Sequence, residues 1–395
     1  MAAAMVMIAC SGIVYVWSIY QNPIIERFGW DIRSVSLTFT MQVLATTVTP
    51  LFIGKYQKTI GVRKYMQIGI LIYVTGIAST MLIHFNSIVL LYLTAGLITG
   101  VGISMLFPSL MSYGGSLFPE RTGIASGMTA CTYCGGSIIF APLAANIIEQ
   151  YGIIAVFGVF SILFAVIMLP VSFLIKEAPD DFYEYLKKRD FQETKKQTKD
   201  YTWREMIRTP RYYLLVMILI LGTTAGLMIM GHASGILQEF EGLTPERAAA
   251  VVGAISIFNA LGRIVFGAIS DKLGRYVVIL VLFTVIGAAM LFLTKTTGLL
   301  FIVLLGSTSL CYGGFVVMVS PLCADHFGIK NLSVNYSFLF IAFAFASVIG
   351  PQLAAQSKAL GSGYETAFTV VGILAVVGIA LTVYLMIKEK ERVRD

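Results

Sequence analysis

The sequence predicts an all-α membrane protein: twelve transmembrane helices in two pseudo-symmetric halves of six. Three observations predict it. Of the 395 residues, 57% are hydrophobic and only 12% charged, whereas a soluble domain carries about 25% charged residues. The apolar residues gather into twelve stretches long enough to cross a bilayer. The last six of those stretches echo the first six.

The stretches lie at roughly 1–25, 35–54, 66–85, 87–112, 122–147, 152–175, 210–235, 247–270, 276–294, 298–322, 333–356 and 364–387. Each has about 19 to 26 residues, which at about 1.5 Å rise per residue spans a hydrocarbon core of about 30 Å with some tilt. The first begins at Met1 without a basic leader and exceeds a signal-peptide core. It is therefore expected to be a membrane helix with almost no tail before it.

The net charge of +7 follows the loops and does not mark a nucleic-acid surface. With the even-numbered connections on the side of the termini, that side takes Lys55, Lys58, Arg63, Lys64, Arg121, Lys272, Arg275 and Lys330. It also takes the basic residues from Lys176 to Arg211 and those after the last span, 22 in all. The opposite side takes five: Arg27, Arg33, Arg247, Lys295 and Lys358. The positive-inside rule then predicts cytoplasmic termini and a multi-pass protein of the plasma (inner) membrane.

The densest run of charge lies in 176–209, which reads as a solvated linker. Its end, around Trp203–Ile207, is expected to form a short amphipathic helix on the membrane surface. The linker divides the chain into a six-helix half at 1–175 and another at 210–395. IFAPLAANI around Pro142 and VIGPQLAAQ around Pro351 match at an offset of 209, which also aligns Phe118 with Phe327 and Arg121 with Lys330. GKYQKTIGVRK (54–64) parallels GAISDKLGRYV (267–277), each a charged turn after the second helix of its half. Halves repeated in the same orientation predict a site at mid-depth between them.

One residue breaks the apolar pattern. Of 28 Lys and Arg, 27 fit loops or helix ends; Arg263, inside VGAISIFNALGRIVFGAISDKLGR (252–275), does not. No Asp or Glu needs to sit at mid-membrane. An ionised side chain at that depth is costly and marks a functional site by default. A lone buried cation suits an anion, and the planar guanidinium fork suits a carboxylate bidentately, as a lysine would not. The structural alternative is an arginine that snorkels or bonds backbone carbonyls.

Other chemistry is thin. Cys131 and Cys134 form a CxxC inside a span, with no second pair and no histidine cluster, so all five cysteines read as small packing residues. No cofactor, no metal and no nucleic-acid partner is expected. No HExxH, nucleophile–base set or Gly-rich phosphate cradle appears, so the chain is not read as an enzyme. His232, near the outer end of the seventh stretch, could titrate at physiological pH, but a lone histidine at a helix end is ordinarily just hydrogen-bonded.

The turn GAISDKLGR resembles the loop signature G-x-x-x-D-[RK]-x-G-[RK] of the major facilitator superfamily. SGIVYVWSIYQNP (11–23), FPERTGIASG (118–127), DYTWREMIRTPRYYLL (200–215), the N-x-x-x-R of Asn259 and Arg263, and FGIKNLSVNYSFLF (327–340) resemble the oxalate–formate antiporter family within it. The resemblance covers essentially the whole chain. It implies gating residues: Asp271, closing a cytoplasmic gate against a helix N-terminus of the other half, with Arg275, and Arg121 in the matching turn. Gly267 would let two helices approach closely. The first-half copy has Lys58 where that Asp would stand.

Oxalate-transporting relatives set two basic residues against the substrate. The resemblance assigns the first to Arg263, but Phe343 stands at the second position. An apolar ring there would leave a second carboxylate unpartnered, at a cost of several kcal/mol. The expected substrate is a monocarboxylate such as formate, lactate or pyruvate. The resemblance also puts Tyr15 beside the substrate and Phe107, Tyr312 and Phe315 on cavity-lining spans. Related proton-coupled monocarboxylate carriers have Asp where this chain has Asn259, which cannot titrate.

The expectation is therefore a monomeric secondary transporter of small organic anions working by alternating access. It would act as an exchanger, or take up any proton with its substrate. Two alternatives stay open: a proton-coupled exporter of apolar or cationic compounds, which ordinarily carries acidic residues within its spans, and a membrane sensor that keeps the transporter fold.

Overall fold

The computed structural model describes residues 2–54, 56–116, 122–175, 200–328 and 331–394. Twelve helices among them are long and apolar enough to cross a membrane: α1 Ala2–Phe28, α2 Ile32–Ile53, α3 Val62–Phe85, α4 Ile88–Met111, α5 Met128–Tyr151, α6 Ile153–Ser172, α7 Pro210–Glu241, α8 Pro245–Leu273, α9 Arg275–Leu293, α10 Gly298–Phe327, α11 Val334–Ala359 and α12 Glu365–Glu389. No strand occurs among the described residues. The protein is an integral multi-pass membrane protein with the twelve-helix architecture the sequence predicts.

The helices start and stop where local chemistry requires. Thr209 and Thr244 cap α7 and α8 through their hydroxyls, each followed by a proline in the first turn. The helices outrun the apolar stretches in places. α7 continues to Glu241 and α10 to Phe327, each ending at a glycine of positive φ, Gly242 (φ 60°) and Gly328 (φ 80°). The overhangs carry Glu239, Glu241 and Asp325, polar residues beyond the apolar stretches but still within the helices.

α1 is not uniform. Gly12–Val16 winds as a 3-10 turn between two α-helical pieces, and Tyr15 lies in it. At Gly12 a Cβ would stand 1.9 Å from the Tyr133 carbonyl oxygen, so only glycine lets α1 touch α5 there. α8 and α10 meet in the same way at Gly313, where a Cβ would stand 2.1 Å from the Asn259 carbonyl oxygen. These two backbone contacts fix the depth of Tyr15 and of the Asn259–Arg263 turn.

The halves meet along α5 against α8 and α2 against α11. The internal echoes fall on equivalent elements, since Pro142 lies in α5 and Pro351 in α11, the fifth helix of each half. The two ends of each helix define a face that carries the termini and a distal face opposite. Several hydrogen bonds join the halves toward the distal face: Asn22 Nδ2 to Gln238 Oε1 (3.3 Å), Thr40 Oγ1 to the Ser347 carbonyl (2.8 Å) and Gln352 Nε2 to the Arg33 carbonyl (3.3 Å).

The end of the linker differs from expectation. Trp203–Met206 is a single helical turn closed by a capping box between Thr202 and Glu205. It packs on protein: the Trp203 ring stacks on Phe338 at 4.9 Å, and Met206 is fully buried. Tyr201 N–H donates to the Phe327 carbonyl, and its own carbonyl accepts from Asn331 and Asn335 Nδ2. The segment straps the ends of α10 and α11 together.

Candidate functional site

Arg263 lies in the interior of α8, ten residues before its end at Leu273, about 15 Å along the axis. Its side chain does not face lipid: the residue is 7% exposed. Nε donates to Asn259 Oδ1 at 3.2 Å, one turn earlier, and Nη2 donates to the Tyr15 hydroxyl at 3.0 Å, in the other half. No carboxylate lies within ion-pair distance of it among the described residues. A guanidinium has five N–H donors, so donors remain after these two bonds.

Asn259 is fully buried, and its amide is shared unevenly. Oδ1 accepts from Arg263 and from Cys134 Sγ, 3.4 Å away on α5, whereas Nδ2 has no partner among the described residues. An unmatched buried donor beside a cation without a counterion is a pair of groups short of acceptors. Cys131 Sγ lies 3.4 Å from the Ala260 carbonyl, adding a second contact between α5 and α8.

Aromatic rings close the surroundings. Tyr133 meets Tyr15 edge-on at 5.5 Å and Phe107 at 4.5 Å. On α11, Tyr336, Phe340 and Phe343 stack in sequence, with centroids 5.4 and 4.2 Å apart, and Tyr312 of α10 meets Phe343 edge-on at 6.2 Å. Tyr133, Tyr312 and Tyr336 lie within electrostatic reach of the guanidinium. The shell around Arg263 is thus apolar with neutral hydroxyls, a setting in which the field of one buried charge is little screened.

The other residues singled out in the sequence fall in different places. Phe315 is fully buried against Phe283 at 4.9 Å and against Gly222, inside the second half. A ring at that position in α10 turns toward α7 and α9, not toward the first half. Asp271 is 69% exposed at its side chain and pairs with Arg275 of its own turn at 2.6 Å. Arg275 also reaches Asp325 at 3.3 Å and Ser270 Oγ at 2.5 Å. That cluster ties together α8, α9 and α10, and the contact of Asp271 with the other half that the signature implies is not among its bonds to described residues. A Cβ at Gly267 would meet Val317 at an ordinary 3.6 Å, so the close α8–α10 approaches lie at Gly262 and Gly313 instead. Arg121 lies outside the described residues.

Three residues at the site are not among the site residues that the sequence singles out. Tyr133 and Cys134 sit in an apolar helix whose composition gives no contrast. Tyr336 lies in FGIKNLSVNYSFLF (327–340), a stretch that the sequence singles out for its family resemblance and not for its rings. The signal was present, however: Tyr336, Phe340 and Phe343 recur at the i, i+4, i+7 spacing of a single helix face. No group of three or more His, Cys, Asp or Glu that could hold a metal occurs among the described residues.

Comparison with known proteins agrees with this architecture. The family described as Major Facilitator Superfamily matches residues 2–351 and 242–395. An uncharacterized MFS-type transporter, YhjX, of Escherichia coli (strain K12) is 27% identical over 85% of this chain and 82% of its own length. The oxalate:formate antiporter of Oxalobacter formigenes is 28% identical over 97% of this chain and 90% of its own. Monocarboxylate transporter 12 of Xenopus laevis is 25% identical over 73% and 66%.

Proposed function

The chain belongs to the major facilitator superfamily of membrane transporters, and we propose that it carries small monocarboxylate anions of the formate, lactate or pyruvate type by exchange. One observation carries the reading: a buried guanidinium, linked to both halves, has donors to spare and no carboxylate beside it among the described residues. A carboxylate seated there would accept from Arg263 and from the free Asn259 Nδ2, with the Tyr15 hydroxyl as a further donor. Tyr133, Phe107, Tyr312 and Phe343 would wall it from water and sharpen the ion pair.

Phe343 sets the charge of the substrate in this reading. Its ring stacks on Phe340, so a second carboxylate would meet aromatic carbon in place of a cation. The names of the relatives, an oxalate:formate antiporter and monocarboxylate transporters, support a small organic anion as the substrate class.

The charge count suggests the mode of transport. Unloaded, the passage holds one positive charge without a counterion; loaded with a monocarboxylate it is neutral. Closing protein around a bare charge is costly, and closing around a matched pair is much less so. The loaded carrier then interconverts readily and the unloaded one slowly, which is obligatory exchange. The two bodies that rock about the site are 1–175 and 210–395, joined by 176–209. The loop charges favour a cytoplasmic location for the termini. Joined halves toward the distal face and an exposed Asp271 on the terminal face favour a conformation open to the cytoplasm.

Reconstituted vesicles test this. Preloading with unlabelled formate, lactate or pyruvate should accelerate uptake of the labelled anion many-fold over unloaded vesicles. Equal rates from loaded and unloaded vesicles would end the exchange reading, and uptake of none of the three would end the monocarboxylate one.

A further inference from the structure

His232 stands at the centre of the distal contacts between the halves. It is fully buried on α7. Its Nε2 lies 3.0 Å from the Pro351 carbonyl oxygen on α11 and 3.1 Å from Ser36 Oγ on α2. A carbonyl can only accept, so Nε2 carries the proton of the neutral ring. Ser36 Oγ in turn accepts from Gln21 Nε2 of α1 at 2.6 Å. The other nitrogen, Nδ1, is then a bare acceptor, and the Tyr364 hydroxyl lies 3.4 Å from it. One imidazole thus gathers α1, α2, α7, α11 and the start of α12, two of them from the first half.

The charged groups nearby are few. Lys358 Nζ sits over the Tyr364 ring at 5.2 Å and pairs with Glu239 at 3.3 Å. At the head of α2, Asp31 and Arg33 pair with each other in an exposed position. Among the described residues, no carboxylate touches the imidazole itself. Tyr364 therefore links the buried ring to a partly exposed ion pair on the distal face.

We propose that His232 is a proton-binding site that controls the distal gate: the neutral ring latches the halves together, and uptake of a proton holds them apart. A second proton on Nδ1 would remove the acceptor of the Tyr364 hydroxyl. It would also leave a cation buried with Lys358 close by and no carboxylate in contact, which is costly. Parting the halves gives the ring to water, where an imidazole takes its proton near pH 6.5. The open state binds the proton more tightly than the latched state. By linkage, acid on the distal side therefore favours the open state and alkali the latched one. In the orientation with cytoplasmic termini, an acidic exterior opens the carrier outward. The inference holds for whatever solute is carried.

The test uses the full chain without substrate, which separates it from the reading of the site. Tyr151 and Leu299 are exposed at the distal ends of α5 and α10, one in each half. Both are replaced by Cys and spin-labelled, with the half-buried Cys131 replaced by Ser. The distance between the labels is measured from about pH 7.5 to 5.5, the range in which a hydrated imidazole titrates. The expected result is a longer-distance population that grows with acid. His232→Gln keeps an amide N–H for Pro351 but cannot take a proton, so it should abolish the response. Tyr364→Phe leaves Nδ1 without its donor, so it should move the midpoint to higher pH. No acid response in the parent protein, the same response in His232→Gln, or an unmoved midpoint in Tyr364→Phe would each overturn the proposal.

Discussion

Arg263 on α8 donates to the Tyr15 hydroxyl on α1 at 3.0 Å, so a cation buried in the middle of a span is tied across the two halves of the molecule. The bond runs from a regular helix to a 3-10 turn, and glycine contacts hold both elements at that depth. A group bonded to both halves is placed to report occupancy to both. An anion that takes up the guanidinium's remaining donors also changes how strongly it holds Tyr15.

Arg263→Lys keeps the charge and loses the fork. A lysine ammonium is a point charge that cannot reach Asn259, Tyr15 and a bidentate carboxylate together. Hydrogen bonds to charged groups are worth about 1.5–3 kcal/mol, so exchange should fall about tenfold to hundredfold at limiting substrate. Labelled-anion exchange, normalised to protein recovered in the membrane, checks this. Unchanged exchange would make the arginine structural.

Phe343→Lys should move selectivity toward dicarboxylates. The substituted chain would present a second cation near Tyr312, where Phe343 now meets that ring at 6.2 Å. Oxalate should compete weakly with formate exchange in the parent protein and strongly in the variant. If oxalate competes equally in both, position 343 does not set substrate charge.

Much of this arrangement was legible in the sequence, for identifiable reasons. Arg263 stood out because a charge in an apolar helix contrasts with everything around it, and Asn259 and Tyr15 came with the motifs that contain them. The twelve spans were legible because composition alone reports what lies in hydrocarbon. The ends of α7 and α10 were not, because Glu239, Glu241 and Asp325 end the apolar run while the helix continues. Phe315 shows a different limit. Its span was read as lining a cavity, but residue type does not say which way a ring turns, and this one turns to Phe283. Cys134 was read as packing, and its bond to Asn259 depends on the meeting of α5 and α8, which no local pattern encodes.

Asn259→Asp should convert exchange toward net flux. Asn259 Oδ1 already accepts from Arg263 Nε at 3.2 Å, so an aspartate there would neutralise the unloaded site without moving the backbone. Uptake into unloaded vesicles should rise relative to uptake into preloaded ones, while apparent affinity for the anion falls because the new carboxylate competes for the same donors. A ratio of loaded to unloaded uptake equal to that of the parent protein would count against the charge argument.

Gly313 and Gly267 offer a paired test of where α8 and α10 truly touch. A Cβ at Gly313 would lie 2.1 Å from the Asn259 carbonyl oxygen and 3.2 Å from the Arg263 nitrogen, both backbone atoms that cannot swing aside. Gly313→Ala must push α10 away from the very turn that aims the guanidinium, and overpacking of this kind costs about 1–3 kcal/mol. Its thermal unfolding midpoint in detergent should fall, and binding of formate should weaken with it. At Gly267 the nearest atoms are the Val317 methyls, at 3.6 and 3.9 Å. Gly267→Ala should therefore be neutral or slightly stabilising, since alanine is favoured over glycine inside a helix by up to about 1 kcal/mol. The reverse order of the two midpoints would mean that the helices cross nearer the terminal face, and that Arg263 is not held at the depth the Gly313 contact gives it.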